Sequence, residues 1–121
     1  MSIPKIIHQI WLQGEIDIPK KYLSKTQRIK DMHQTWKYYF WDDVSIVDLL
    51  SKNTIWLNTY HKLNYLHQKV DYARYIILYI YGGVYIDMDV KMVKPLDSLL
   101  QKYIGYDFIV SRLNLNYYEA V

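Results

Sequence analysis

The sequence contains no cysteine, which excludes disulfide bonds, thiolate nucleophiles and cysteine-based zinc sites. It also has no long hydrophobic run. The longest, at residues 75–81, is far shorter than the about 20 residues of a membrane-spanning helix. The first residues lack the apolar segment of a secretory signal. From the last two absences we expect no membrane span and a cytoplasmic location.

Charge of one sign is not concentrated anywhere in the chain. The net charge is +3, and the longest basic run is too short to predict binding to nucleic acid or to an anionic membrane. The Gly-rich phosphate-binding loops of P-loop and dinucleotide-binding enzymes are absent, as is the G-x-S-x-G motif of α/β-hydrolases. The four histidines show no metal-ligand spacing, and we interpret all of them as structural or solvated: His8, His33, His61 and His67.

What the chain does have is a large apolar and aromatic content, with 51% hydrophobic residues and 17% aromatic residues. That is enough for a packed core, and we expect residues 1–121 to form one domain. Predicted strands alternate with predicted helices, which is typical of an α/β fold with a parallel sheet. The predicted strands cover residues 3–11, 36–41, 84–87 and 108–112, and the predicted helices cover residues 19–32, 43–50, 53–63, 66–81 and 95–100.

The clearest predicted helix is the one at residues 66–81, because its apolar residues fall on one continuous stripe. The stripe comprises Leu66, Val70, Ala73, Ile77 and Ile80. Gly82 follows directly and is a natural end for this helix. For the short helix at residues 43–50, Asp43 is the expected cap.

Two carboxylates, Asp87 and Asp89, follow the third predicted strand. Residues two apart in an extended segment point the same way, so both can face one divalent cation. Mg²⁺ and Mn²⁺ favour such oxygen ligands and commonly share them with phosphates of a substrate. A lone D-x-D pattern is more often a solvated turn. Here, however, it follows an otherwise apolar strand.

The predicted strands place several polar and aromatic residues at one edge of the sheet. Trp11, the pair Asp42–Asp43 and the two D-x-D carboxylates all follow strand ends, where ligands bind in parallel α/β sheets. This coincidence predicts a single site. Trp11 is either a core residue or a stacking surface for a base.

Asp71 and Arg74 lie one turn apart on the clearest helix. Such a pair is commonly only a surface ion pair. It also flanks the apolar stripe on the side where the D-x-D would emerge, and the arginine fork suits phosphate or hydroxyl groups.

These motifs together resemble the DXD-containing sugar-binding region of glycosyltransferase family 32. The resemblance rests on the IPKIIHQIW segment, on W-x4-W-D-D, on D-x-x-R-Y-x-x-L-Y-x-x-G-G-V-Y-I-D-x-D-V and on K-P-L-D-S-L-L, in that order. The family includes yeast-type α-mannosyltransferases and bacterial capsule-type enzymes. It is more distantly similar to the glucosyltransferase domains of large clostridial toxins.

The resemblance implies the N-terminal part of a GT-A-like nucleotide-sugar-binding fold, that is, a Rossmann-like parallel sheet with flanking helices. It implies a retaining, metal-dependent transfer of a hexose from a nucleoside diphosphate sugar, UDP- or GDP-linked. In that reading Trp11 stacks on the base, and Asp71 and Arg74 bind the donor sugar and its phosphate. Asp87 contacts ribose and sugar and shares Mn²⁺ or Mg²⁺ with Asp89.

The sequence departs from the family pattern in two places. Val70 stands where a small residue is usual, and family members continue beyond the point where this chain ends, at Val121. We therefore expect self-association or a partner chain, and a bacterial or viral setting because no Golgi-type anchor precedes the domain. The acceptor and the catalytic residues beyond the donor site are not identified.

Two other functions are compatible with the motifs. One is an impaired remnant that binds nucleotide-sugar and serves as an interaction module. The other is a metal-dependent phosphoryl or nucleotidyl transferase, although the motifs supply no further carboxylate for a two-metal centre.

Overall fold

The computed structural model describes residues 3–106, which form three parallel strands and five α-helices. In chain order the elements are β1 (Ile6–Ile10), a short 3₁₀ helix (Glu15–Asp17), α1 (Lys20–Met32), β2 (Lys37–Trp41), α2 (Asp43–Leu50), α3 (Thr54–Lys62), α4 (Leu66–Tyr81), β3 (Val84–Tyr85) and α5 (Leu96–Lys102). The strand predicted at residues 108–112 lies outside the described residues. Within residues 3–106, no helix is both long and apolar enough to cross a bilayer.

The sheet has the order β2-β1-β3, and both pairings are parallel. His8 at the centre of β1 lies opposite Tyr39 of β2 and Tyr85 of β3. Helices connect the strands, as parallel pairing requires. The predicted Rossmann-like parallel α/β fold is therefore confirmed.

Helices cover both faces of this sheet. Ile7 and Ile10 lie three residues apart on β1, so they point to opposite faces. Ile7 packs with Ile29 of α1 and Leu96 of α5. Ile10 packs in the larger core with residues of α2, α3 and α4, which include Ile46, Leu50, Tyr60, Ala73 and Ile77. The two cores hold the sheet between two layers of helices.

The third strand is shorter than predicted. It pairs with β1 only at Val84 and Tyr85, although the Ile86 amide still donates to the His8 carbonyl at 3.0 Å. Asp87 begins a turn instead, because its carbonyl accepts from the Val90 amide at 3.2 Å. The D-x-D carboxylates therefore lie on a turn after the strand and not on the strand itself.

The prediction that Asp43 caps α2 was wrong by one residue. Asp42 is the cap: its carboxylate accepts from the Ser45 amide at 2.9 Å, and the Ser45 hydroxyl accepts from the Asp42 amide at 3.0 Å. Asp43 instead accepts a hydrogen bond from the buried Tyr60 hydroxyl at 2.7 Å. Both carboxylates hold helices in place, and neither lines the cavity at the strand ends that is described below.

The apolar stripe of α4 is only partly buried. Ala73 and Ile77 are buried as predicted, but Leu66 and Ile80 are 53% and 42% exposed. Ile76, which was left out of the predicted stripe, is buried beside them. The core therefore contacts the middle of α4 and not its two ends. The other predicted elements are confirmed, with ends shifted by a few residues.

A Gly82-Gly83 turn joins α4 to β3. Both glycines have positive φ, and a Cβ on Gly83 would lie 2.5 Å from the Ile6 carbonyl oxygen. The turn is also held by buried His8, whose Nε2 donates to the Gly82 carbonyl at 2.9 Å while its Nδ1 accepts from the Trp41 indole at 3.1 Å. The turn thus directs the D-x-D segment back toward α4.

Candidate functional site

A cavity of about 540 Å³ opens at the carboxyl end of the sheet. Its volume is in the range of about 300–1,000 Å³ that is typical of small-molecule sites. The wall is formed by residues after β1, by Tyr22 of α1, by the N-terminal half of α4 and by the turn after β3. All five residues predicted to form the site line this cavity: Trp11, Asp71, Arg74, Asp87 and Asp89.

Arg74 connects two of the carboxylates in the cavity. Its guanidinium lies 3.0 Å from a carboxylate oxygen of Asp71, one turn back on α4, and 4.0 Å from an oxygen of Asp87. It also lies over the ring of Tyr85, 5.5 Å from the centroid. The Arg74 side chain is partly buried, and these contacts orient its guanidinium at the wall of the open cavity.

Asp87 and Asp89 both expose their side chains, whereas Met88 between them is buried. All three residues line the cavity, with Met88 packed inward and the two carboxylates open to solvent. Within residues 3–106, no three acidic or histidine side chains are grouped to hold a metal by themselves. Two hard oxygen donors at the edge of a ligand cavity nevertheless suit Mg²⁺ or Mn²⁺, which commonly bind one or two carboxylates together with substrate phosphates.

Tyr85 packs against the Arg74 guanidinium, and its hydroxyl lies close to Asp87. Burial raises the pKa of its hydroxyl, and the neighbouring Asp87 carboxylate raises that pKa further. The phenol therefore stays protonated near neutral pH and is available as a hydrogen-bond donor beside Asp87.

Trp11 forms the opposite wall of the cavity. Its ring meets the edge of Tyr22 at a centroid distance of 5.8 Å. Its indole nitrogen is buried and has no hydrogen-bond partner among residues 3–106. A buried donor without a partner costs free energy, and a ligand oxygen within reach would satisfy it.

Several residues of the cavity wall were not predicted to belong to a site, among them His67 and Tyr22. His67 lines the cavity and stacks on Tyr65 at a centroid distance of 5.7 Å. It is exposed, which agrees with its interpretation as a solvated residue. The sequence did not indicate that Tyr22 belongs to the site, because this residue is part of no motif. Only the docking of α1 against the end of β1 brings it to the site.

Comparison with known proteins supports the resemblance. Residues 19–105 match the family model described as a glycosyltransferase sugar-binding region containing a DXD motif. The matched part contains Asp71, Arg74, Asp87 and Asp89, and Trp11 precedes it.

Curated relatives include an inositol phosphoceramide mannosyltransferase of Schizosaccharomyces pombe, 38% identical over 105 residues, covering 84% of this chain and 32% of the relative. A mannosyl phosphorylinositol ceramide synthase of Saccharomyces cerevisiae is 38% identical over 99 residues, covering 81% and 25%. An uncharacterized glycosyltransferase of Acanthamoeba polyphaga mimivirus is 37% identical over 124 residues, covering 98% and 49%. The chain thus spans between about a quarter and about half of the length of these relatives. No solved structure matches it.

Proposed function

This chain belongs to glycosyltransferase family 32, the family of sugar-binding regions with a DXD motif, and on that basis we propose that it binds a nucleoside diphosphate hexose for metal-dependent, retaining transfer of the sugar. The observation that carries the proposal is the convergence of Arg74, Asp71 and Asp87 in one cavity. Asp71 and Arg74 share one face of α4, and the fold brings Asp87, from the turn after β3, to the same guanidinium.

In the proposed complex, Asp87 and Asp89 would hold Mn²⁺ or Mg²⁺ at the cavity edge. A cation held there would supply charge neutralisation for a diphosphate leaving group. Arg74 can donate to a phosphate oxygen while the bond between the anomeric carbon and the diphosphate breaks. Asp71 keeps that guanidinium oriented and can accept from a sugar hydroxyl.

The remaining walls suit the nucleoside. Trp11 offers an aromatic face, and stacking of a base on such a face is worth about 1–3 kcal/mol. Tyr22 supports the Trp11 ring from its edge. We propose that the base, either uracil or guanine, lies against Trp11 and that the diphosphate points toward Arg74.

The curated names point to a sugar to test first. One relative is named an inositol phosphoceramide mannosyltransferase, and another is named a mannosyl phosphorylinositol ceramide synthase. We therefore propose mannose as the first hexose to test, and a phosphorylated polyol lipid as the first acceptor. The cellular location and self-association stay predictions from the sequence.

Titration calorimetry with UDP, GDP and their hexose conjugates tests the proposal, first with Mn²⁺ and then with EDTA. We expect binding only with the cation, and tighter binding of one sugar conjugate. Mass spectrometry of the same mixtures then scores hydrolysis or transfer of the sugar. Equal binding with Mn²⁺ and with EDTA would contradict the role of the metal. Metal-dependent binding without any turnover would favour the alternative of a binding module.

A further inference from the structure

Side chains of β1 and α1 form hydrogen bonds to the backbone of residues 87–92, the segment that carries the D-x-D. Three of its backbone carbonyls accept side-chain hydrogen bonds. Gln9 Nε2 donates to the Asp87 carbonyl at 3.3 Å, Lys25 Nζ donates to that of Asp89 at 3.1 Å, and Arg28 Nε donates to that of Met92 at 2.7 Å. We call these three side chains the carbonyl clamp.

The buried member of the clamp is fixed by a network of its own. Gln9 is fully buried on β1, and its Oε1 accepts from the Tyr38 hydroxyl at 2.8 Å and from the Thr26 hydroxyl at 3.1 Å. Two hydroxyl donors on the oxygen leave the amide nitrogen facing Asp87. A buried amide satisfied in this way has one orientation, so it positions the turn rigidly.

The other two members lie on one face of α1. Lys25 and Arg28 are three residues apart, so both point toward the loop from successive turns of the helix. Strand pairing ends at Tyr85, with one further bond at Ile86. Beyond Ile86 the loop carbonyls have no partners from strand pairing, and the clamp supplies hydrogen-bond donors to three of them.

We propose that Gln9, Lys25 and Arg28 are positioning residues that hold residues 87–92 in the shape that presents both D-x-D carboxylates to the cavity. This inference rests on the proposed function, because it assigns these residues to the metal and diphosphate side of the site. Support by residues that orient ligands typically changes metal affinity about 10–100-fold.

Replacing the two cationic members, Lys25 and Arg28, tests the proposal, because the direction of the change in Mn²⁺ affinity distinguishes positioning from a simple effect of charge. Lys25 donates to the Asp89 carbonyl and Arg28 to the Met92 carbonyl, so both bring positive charge to the segment that carries the D-x-D. If they acted through charge alone, the double variant Lys25→Met/Arg28→Met would bind Mn²⁺ more tightly. The clamp predicts weaker binding, by about 10-fold or more, because the carboxylates lose their fixed geometry. The control is Lys20→Met/Lys52→Met, which removes the same charge at exposed residues outside the three bonds of the clamp.

The buried member is tested by Gln9→Met, with Thr26→Val as its control. Both variants break the buried network, but only Gln9→Met removes the bond to the loop. Hydrogen exchange of the amides at residues 87–92, measured without any metal, should accelerate strongly in Gln9→Met. It should change less in Thr26→Val, where the Tyr38 hydroxyl still holds the Gln9 amide oxygen. The melting temperatures of the two variants show how much stability each one loses, so that a general loss of stability can be separated from a local effect on the loop.

The outcomes separate the two proposals. Unchanged exchange in Gln9→Met, or tighter Mn²⁺ binding by the Lys25/Arg28 double variant, would overturn the clamp. If the wild-type chain bound no Mn²⁺ even in the presence of UDP or GDP, measured by electron paramagnetic resonance, the metal in the proposed function would be wrong. The exchange data from the metal-free protein would still decide whether the clamp holds the loop.

Discussion

Asp89 is the residue whose substitution should change ligand binding most while changing stability least. Its carboxylate is exposed at the cavity edge, and only its backbone carbonyl takes part in holding the loop. We expect Asp89→Ala to abolish metal-dependent binding of the nucleoside diphosphate. Stability should stay within about 0.5 kcal/mol, as is usual for exposed positions. Calorimetry with Mn²⁺ and UDP or GDP measures the first effect, and chemical denaturation measures the second.

The matched control for that substitution is Asp48→Ala, which removes an exposed carboxylate on α2, away from the cavity. It should leave binding intact. A large fall in the stability of Asp89→Ala would show instead that the carboxylate helps to hold the turn, and the metal role would then lose its support.

Arg74 should discriminate between ligands with and without the sugar. We expect Arg74→Ala to weaken binding of the nucleoside diphosphate sugar more than binding of the bare nucleoside. The guanidinium sits with Asp71 and Asp87 on the side of the cavity that we assign to sugar and phosphate. Parallel titrations with both ligands measure the difference, and Arg74→Lys tests whether charge without the fork is sufficient. Equal losses for both ligands would contradict this assignment.

The sequence was sufficient to place the five predicted site residues in one cavity. Strand ends in a parallel sheet share an edge, and an i, i+3 pair shares a helix face. The contribution of Gln9 could not be predicted in the same way. A glutamine within an apolar strand gives no sign of its partner until the fold brings the Asp87 carbonyl against it. Asp42 and Asp43 misled because strand-end carboxylates also suit structural roles: Asp42 caps α2, and Asp43 accepts from Tyr60.

At the scale of elements, the turn between α4 and β3 sets where the D-x-D begins. Gly83 combines a φ of 97° with a close approach to the Ile6 carbonyl, whereas Gly14 has a φ of 103° and open space around its Cβ position. Gly14→Ala should therefore cost about 1–3 kcal/mol, the range for a strained backbone. Gly83→Ala should cost more, because backbone must also move. Denaturant unfolding of both variants compares the two costs, and equal costs would show that the contact with Ile6 relaxes freely.

The elements also show where periodicity was sufficient and where it failed. The 3.6-residue pattern identified α4 and its end at Gly82, because a long amphipathic stripe and a glycine stop agree. It did not predict that Leu66 would be exposed at the cavity wall, because the pattern does not show where the core ends. Strand β3 was predicted too long for a related reason. Val84 to Ile86 are apolar, but pairing depends on the backbone of β1, and there the chain turns away after Ile86.

At the scale of the whole molecule, one buried side chain ties three parts of the fold together. His8 lies on the central strand, accepts from Trp41 of β2 and donates to Gly82 at the end of α4. Its other close neighbours are the uncharged rings of Tyr39 and Tyr81. Within residues 3–106, no carboxylate forms an ion pair with this imidazole. A proton on Nδ1 would face the Trp41 indole N–H, so the folded state favours the neutral ring.

Global stability should therefore depend on pH through His8. Burial lowers the pKa of His8 in the folded protein below the ordinary value of 6.5, although the bond to the Gly82 carbonyl opposes this shift. As the pH falls below 6.5, the unfolded chain takes up a proton that the folded chain refuses, so stability falls until the lowered pKa is reached. Above pH 6.5 this contribution is constant. Denaturant unfolding at a series of pH values should show this decline in the wild type and a shallower one in His8→Gln, which has no titrating ring. Identical slopes would mean that His8 is protonated as readily in the folded chain as in the unfolded one, and that its two hydrogen bonds do not fix the neutral form.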